Sequence, residues 1–107
     1  MNKAYDISYS PEALKDLENI YCYIAFELMV PDTAENQINR IRNRIRSLDL
    51  FPDGFGQVDW EPWKSMGMRK LPVDHYIAFF LVGRDNREVI IVRILYSGMD
   101  TEGMINQ

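Results

Sequence analysis

From Leu14 onward apolar side chains return every three or four residues, at Leu14, Leu17, Ile20, Tyr21, Ile24, Ala25 and Leu28. That spacing predicts a helix with one buried stripe. Ser10-Pro11 supplies its start, with Ser10 as N-cap and Pro11 at the first helical position, where a missing N–H costs nothing. Pro31 ends the pattern, and Asp32 with Glu35 reads as a capping box that begins a second helix. This helix buries Ala34, Ile38, Ile41, Ile45 and Leu48. So short a connection implies an antiparallel helical hairpin. Arg40, Arg42, Arg44 and Arg46 fall between the apolar positions, flanking the stripe and pointing outward.

Around the hairpin the period changes from helical to alternating. Tyr5 to Tyr9 alternates apolar and polar, as a half-buried strand does. Pro52-Asp53-Gly54 marks a turn. Phe55 to Trp63 has no period and reads as a loop whose tryptophans, Trp60 and Trp63, pack back onto the core. Met68 to Leu71 predicts a short strand, Tyr76 to Val82 and Glu88 to Tyr96 two strong ones joined by a turn at 83–87, and Asp100 to Ile105 a possible helical turn. The resulting order is β-α-α-β-β-β in one domain, 1–107. The expected fold is α+β: an N-terminal strand, then an antiparallel two-helix hairpin packed on one face of a mostly antiparallel four-stranded sheet.

Composition narrows the functional classes. The chain has 16 acidic and 12 basic residues, a net charge of −4, which excludes a globally basic nucleic-acid binder. The charge is unevenly spread, since residues 64–87 alone carry +3. One cysteine, Cys22, and one histidine, His75, leave no disulfide framework and no set for a structural zinc. No cofactor or metal is expected. No apolar run is long enough for a membrane helix, and the N-terminus turns acidic too soon for a signal peptide. A cytoplasmic protein is expected.

No strong catalytic motif is present. A loose constellation remains on the strands: Arg69, Lys70, His75, Arg93 and Tyr96. Arg93 interrupts Val89-Ile90-Ile91-Val92 and Ile94-Leu95, where a charge needs a partner. It is either bridged to Asp74, Asp6 or another carboxylate, or kept for a ligand. Strict alternation puts Val89, Ile91, Arg93 and Leu95 on one face and Ile90, Val92, Ile94 and Tyr96 on the other. His75 belongs to the residue type that serves as acid or base, although an ordinary surface hydrogen bond at a strand entry is the commoner explanation. Arg69 and Lys70, as strand neighbours, must face opposite sides.

Several segments together resemble the RelE/ParE superfamily of type II toxins. They are Tyr9-Ser10-Pro11-Glu12-Ala13-Leu14-Lys15-Asp16-Leu17, the hairpin ending in Ser47-Leu48 to Phe51-Pro52, Arg69-Lys70-Leu71-Pro72-Val73 leading into Tyr76 to Phe80, and Val92-Arg93-Ile94-Leu95-Tyr96. The resemblance implies a toxin held inactive by a cognate antitoxin encoded beside it, expected as a small acidic, helical chain. ParE-like members poison DNA gyrase by binding it, whereas RelE- and YoeB-like members cleave mRNA on the ribosome. For cleavage it implies Arg69 and Arg93 on phosphate, His75 or Tyr96 in proton transfer, and Lys64 and Lys70 positioning the backbone. Phe26, Met29 and Phe55 are the expected antitoxin contacts. Two places depart from the ribonuclease pattern. Ser97-Gly98-Met99-Asp100 stands where relatives place basic residues or end on His-Tyr, and Tyr76-Ile77 stands where they carry an arginine. Leu71-Pro72-Val73 and Ile94-Leu95-Tyr96 read closer to ParE. The expected function is a gyrase-binding toxin. The alternatives are a ribosome-dependent mRNA endoribonuclease and a detoxified chain that keeps only antitoxin binding.

Overall fold

A computed structural model of the chain describes residues 4–106. Strand β1 (Asp6–Tyr9) leads into α1 (Pro11–Cys22), whose axis continues through a π-helical turn, Tyr23–Glu27. Helix α2 (Pro31–Arg46) returns and ends in two short 3₁₀ turns. A four-residue α3 (Trp63–Met66) precedes β2 (Arg69–Val73), β3 (Tyr76–Gly83), β4 (Glu88–Tyr96) and a final short α4 (Thr101–Ile105). The sheet order is β1-β4-β3-β2. β2–β3 and β3–β4 are antiparallel, while β1 lies parallel to β4, so the sheet is mixed. The helical hairpin is the crossover that a parallel β1–β4 pair requires.

The start of α1 follows the sequence: Ser10 Oγ accepts from the Ala13 amide at 2.9 Å, and Pro11 takes the first position. Helix α2 starts differently from the expected capping box. Val30 is its N-cap, no side chain caps it, and Pro31 is its first residue rather than the end of α1. Proline's fixed φ suits that first turn, so Asp32 and Glu35 are left on the exposed surface.

Two clusters fill the two faces of the sheet. On the helix side Leu17, Ile41, Ile45, Leu48, Leu71, Phe80, Ile91 and Ile94 are buried together. On the far side Val58, Met68, Phe79 and Leu95 form a smaller cluster roofed by Trp60, Trp63, Met104 and Ile105. The tryptophans thus pack back as their loop predicted. Leu14 and Leu28, expected in the α1 stripe, are instead about half exposed; the buried positions are Ala13, Asp16, Leu17, Ile24 and Ala25. The stripe has rotated toward Ala13, which is buried in the helix-side core.

Strict alternation fails in β4. Phe80 pairs with Ile91 but Phe79 pairs with Arg93, which leaves Val92 as the extra residue of a β-bulge. Beyond the bulge the faces exchange: Ile94 joins the helix-side core and Leu95 the far cluster. One inserted residue reverses every later side chain, which a period-two reading cannot anticipate.

Candidate functional site

Arg93 sits where β4 loses its neighbour. β1 pairs with β4 only as far as Tyr9–Ile91, after which the chain turns away into α1. The exposed ladder is closed by side chains. Ser10 Oγ donates to the Val92 carbonyl at 2.7 Å, and the Ile94 amide donates to Asp16 Oδ2 at 2.9 Å. Asp16 also takes a fork from Arg93, with Nε on Oδ2 at 2.8 Å and Nη2 on Oδ1 at 3.0 Å. Arg93 is thus bridged to a carboxylate, neither Asp74 nor Asp6 but Asp16 on α1. Its hydrogen bond to Asp16 raises the Arg93 pKa further, against the opposing effect of burial. Nη1 reaches the Met104 carbonyl at 3.4 Å and ties α4 loosely to the same point.

Asp16 escaped the sequence reading. The signal was available: it lies three residues after Ala13 and four before Ile20, on the buried stripe itself. A carboxylate there demands a cation from another element.

The other candidates disperse. Arg69 lies in the cross-strand row Arg69–Phe80–Ile91–Tyr9, and Arg93 in the next row, Lys70–Phe79–Arg93. Adjacent rows face opposite sides of a sheet, so the two arginines do not share a groove. Arg69 Nη1 donates to the Phe55 carbonyl at 2.5 Å, and its Nη2 stands 4.0 Å from Asp53. His75 is exposed in the two-residue β2–β3 turn, beside Asp74 in the left-handed conformation that aspartate tolerates. Its carbonyl accepts from the Ser97 amide at 2.8 Å, which brings His75 and the end of β4 together. Tyr96, half exposed, meets Tyr76 edge-on with ring centroids 6.0 Å apart. Four residues separate Tyr76 from Phe80 along β3, about 13 Å of strand, so His75 and Tyr96 lie at the opposite end from Arg69. Lys64 and Lys70 are exposed.

Asp74 does hold an arginine, but it is Arg40, at 2.8 Å, with buried Gln37 donating to the same oxygen at 3.0 Å. Hydrogen bonding to Arg40 keeps the Asp74 carboxyl below the usual range. The remaining α2 arginines are exposed. Arg42 lies over the Tyr9 ring at 5.2 Å, Arg44 over Phe55 at 5.9 Å, and Arg46 Nη1 donates to Asn43 at 2.8 Å. Among the described residues none of these three forms a salt bridge. They point outward as expected, yet two of them cover aromatic rings. Next along the chain Leu50 and Phe51 are 63% and 74% exposed.

Phe26 and Met29, two of the three expected antitoxin contacts, are 70% and 79% exposed at the tip of the hairpin. Phe55, the third, is not free surface. It is half buried on the helix-side core, edge-on to Phe80 at 6.3 Å. Proline and glycine neighbours made its segment look like an open loop, while the Arg69 bond to its carbonyl folds it inward.

Among the described residues no group of histidine, cysteine and carboxylate side chains is placed to hold a metal ion, and no helix is long and apolar enough to cross a membrane. Solved structures share the fold. One is a chromosomal ParDE toxin–antitoxin system from P. aeruginosa (TM-score 0.73, 24% identity, covering 87% of this chain and 96% of that one). The RelBE2 toxin–antitoxin complex of Mycobacterium tuberculosis matches with a TM-score of 0.63 at 14% identity, over 87% and 98%. An archaeal RelE–RelB complex from Pyrococcus horikoshii OT3 gives 0.61 at 13% identity, over 89% and 97%. No curated protein sequence matches the chain. Residues 7–101 match the family profile described as the ParE toxin of the type II toxin–antitoxin system parDE, and the chain belongs to that family.

Proposed function

We propose that this toxin acts by binding a protein target of the gyrase type and performs no chemistry of its own. One observation supports the reading most: the groups that RNA cleavage would need do not converge. A 2′-hydroxyl attack requires a base, an acid and phosphate donors around one reacting centre. Here Arg93 is committed to Asp16, Arg69 faces the other side of the sheet beside Phe55, and His75 with Tyr96 lies at the far end. The antitoxin is an acidic amphipathic segment on the arginine-bearing flanks of α2, with Leu50 and Phe51 giving its apolar side a seat.

The test is to induce the chain without its antitoxin and follow translation and DNA integrity separately. DNA damage while protein synthesis continues, with loss of supercoiling by purified gyrase, is the expected outcome. Early loss of synthesis with cut mRNA supports ribosomal cleavage and overturns the reading. Normal growth at full expression identifies a detoxified chain.

A further inference from the structure

The tip of the helical hairpin differs in kind from the rest of the surface. There α1 widens into its π-helical turn, with the Leu28 amide on the Tyr23 carbonyl at 3.0 Å and the Val30 amide on the Ile24 carbonyl at 3.2 Å. Ile24, Ala25 and Ala34 make a small inner cluster, so the larger apolar side chains turn outward. Tyr23, Phe26, Leu28, Met29 and Val30 are all exposed. Phe26 is propped edge-on against Tyr21 at 6.4 Å, which limits the freedom it would lose on binding. Met29 takes φ +60°, a left-handed conformation that few side chains adopt, and so stands out from the chain reversal. Five exposed large apolar side chains within eight residues of a small domain mark a partner surface.

The surrounding charge selects the partner. From Leu17 to Asn39 there are four carboxylates and no lysine or arginine. Glu27, Asp32 and Glu35 are exposed around the patch. Nucleic acid and anionic membrane would be repelled by that rim, whereas a protein surface lined with lysine and arginine would be attracted. Machinery that grips DNA or RNA must carry such surfaces to neutralise phosphate. An antitoxin that is acidic, as proposed above, is disfavoured at the tip by the same sign argument, which moves it from Phe26 and Met29 to the arginine-bearing end of α2.

We infer that the hairpin tip docks on the lysine- and arginine-lined, nucleic-acid-binding surface of the protein this toxin poisons. Phe26 and Met29 are the apolar anchors, and Glu27, Asp32 and Glu35 meet the target's cations in place of phosphate. The inference rests on the reading of the chain as a toxin that binds a protein target. It adds where that target sits and predicts that the target's own nucleic acid competes for the site.

Two double variants test it, Phe26→Ser with Met29→Ser and Glu27→Lys with Asp32→Lys. All four side chains are exposed, and circular dichroism checks that each variant is folded. Three readouts are taken: killing on induction, binding to the co-expressed antitoxin, and binding to purified gyrase with and without excess duplex DNA. Both variants are expected to lose killing and gyrase affinity by about tenfold or more, to keep the antitoxin, and duplex DNA is expected to weaken wild-type binding. If both variants kill like wild type, or if they lose the antitoxin instead, the inference is overturned. A wild-type chain that blocks translation without binding gyrase removes the gyrase reading alone. The tip then stands or falls on whether the two variants still kill. A wild-type chain that leaves growth untouched overturns the inference too.

Discussion

Arg93 and the arginines of α2 invert what their sequence contexts suggest. Arg93 lies inside an apolar strand, the setting in which a charge looks reserved for chemistry, and it is held by a nearly buried carboxylate and a sheet edge. Arg42, Arg44 and Arg46 lie on an ordinary helix flank, the setting in which charge looks merely solvated. They retain their positive charge unopposed by any salt bridge among the described residues, beside exposed Leu50 and Phe51. Burial forces a charge to find its partner within the chain, and that partner consumes it. Exposure leaves a charge available to something outside. On the proposed reading, the conspicuous arginine is therefore architecture, and the inconspicuous ones are the charges left available to a partner.

The strongest way to break this contrast is Arg93→Ala. It leaves Asp16, with a side chain only 8% exposed, holding a negative charge with a single amide donor. Removing one partner of such a pair costs about 3 kcal/mol, read as a drop in the urea midpoint at unchanged slope. Combining it with Asp16→Leu is expected to cost less than the two single changes added together, because no orphan charge remains. If Arg93→Ala stays stable but stops killing, Arg93 belongs to the functional surface after all.

The second test works from the other side. Replacing Arg42, Arg44 and Arg46 together by alanine is expected to leave stability within about 1 kcal/mol, since exposed changes rarely exceed that. Antitoxin affinity falls on the order of tenfold or more, and more steeply at low salt. A calorimetric titration at two salt concentrations separates the outcomes. Unchanged affinity would mean that the free charge on α2 is only solvated.

Much of the fold was legible because its signals are local. The 3.6-residue period of α1 and α2, Ser10-Pro11, and the two strong strands each announce themselves within a dozen residues. The parallel pairing of β1 with β4 and the Asp16–Arg93 fork depend on residues some 80 positions apart, and the bulge at Val92 on the register between β3 and β4. No local pattern contains them. The candidate site was less legible for a related reason. Residue type named Arg69, His75, Arg93 and Tyr96 as capable of chemistry. Only the sheet register shows that they lie in different rows and at different ends. Phe26 and Met29 were legible as wasteful exposed side chains, whereas Phe55 looked the same and is packed.

Ser10 tests the smaller half of the β4 edge. Its hydroxyl both caps α1 and donates to Val92, so Ser10→Ala removes two bonds at once. The expected cost is about 1 to 2 kcal/mol, the upper part of the usual range for a cap. Ser10→Asp keeps the cap but cannot donate to a carbonyl, and recovers only part of the loss. Full recovery would assign the whole effect to the helix and none to the strand edge.

The smallest effect isolates burial itself. Asp53 and Arg84 form a second bidentate pair, end-on through Nη1 and Nη2 where Arg93 uses Nε and Nη2: Nη1 donates to Oδ2 at 2.9 Å and Nη2 to Oδ1. Yet their side chains are 51% and 58% exposed, against 8% and 20% for the pair at the strand edge. Hydrogen bonding to Arg84 lowers the Asp53 pKa. A carboxylate with a depressed folded pKa stabilises the fold above its unfolded value, near 4, and loses that contribution as pH falls through the folded value. Wild type and Asp53→Asn should therefore differ at neutral pH and converge in acid. The neutral-pH gap should be only about 0.5 kcal/mol, because water screens an exposed pair. Urea midpoints at pH 7 and pH 2 measure it. Two bidentate arginine–aspartate pairs, one costing several times the other to break, would show that enclosure makes Arg93 structural. Equal costs would transfer that role to the bidentate pairing, and Arg84 would then have to be counted with Arg93 as part of the framework.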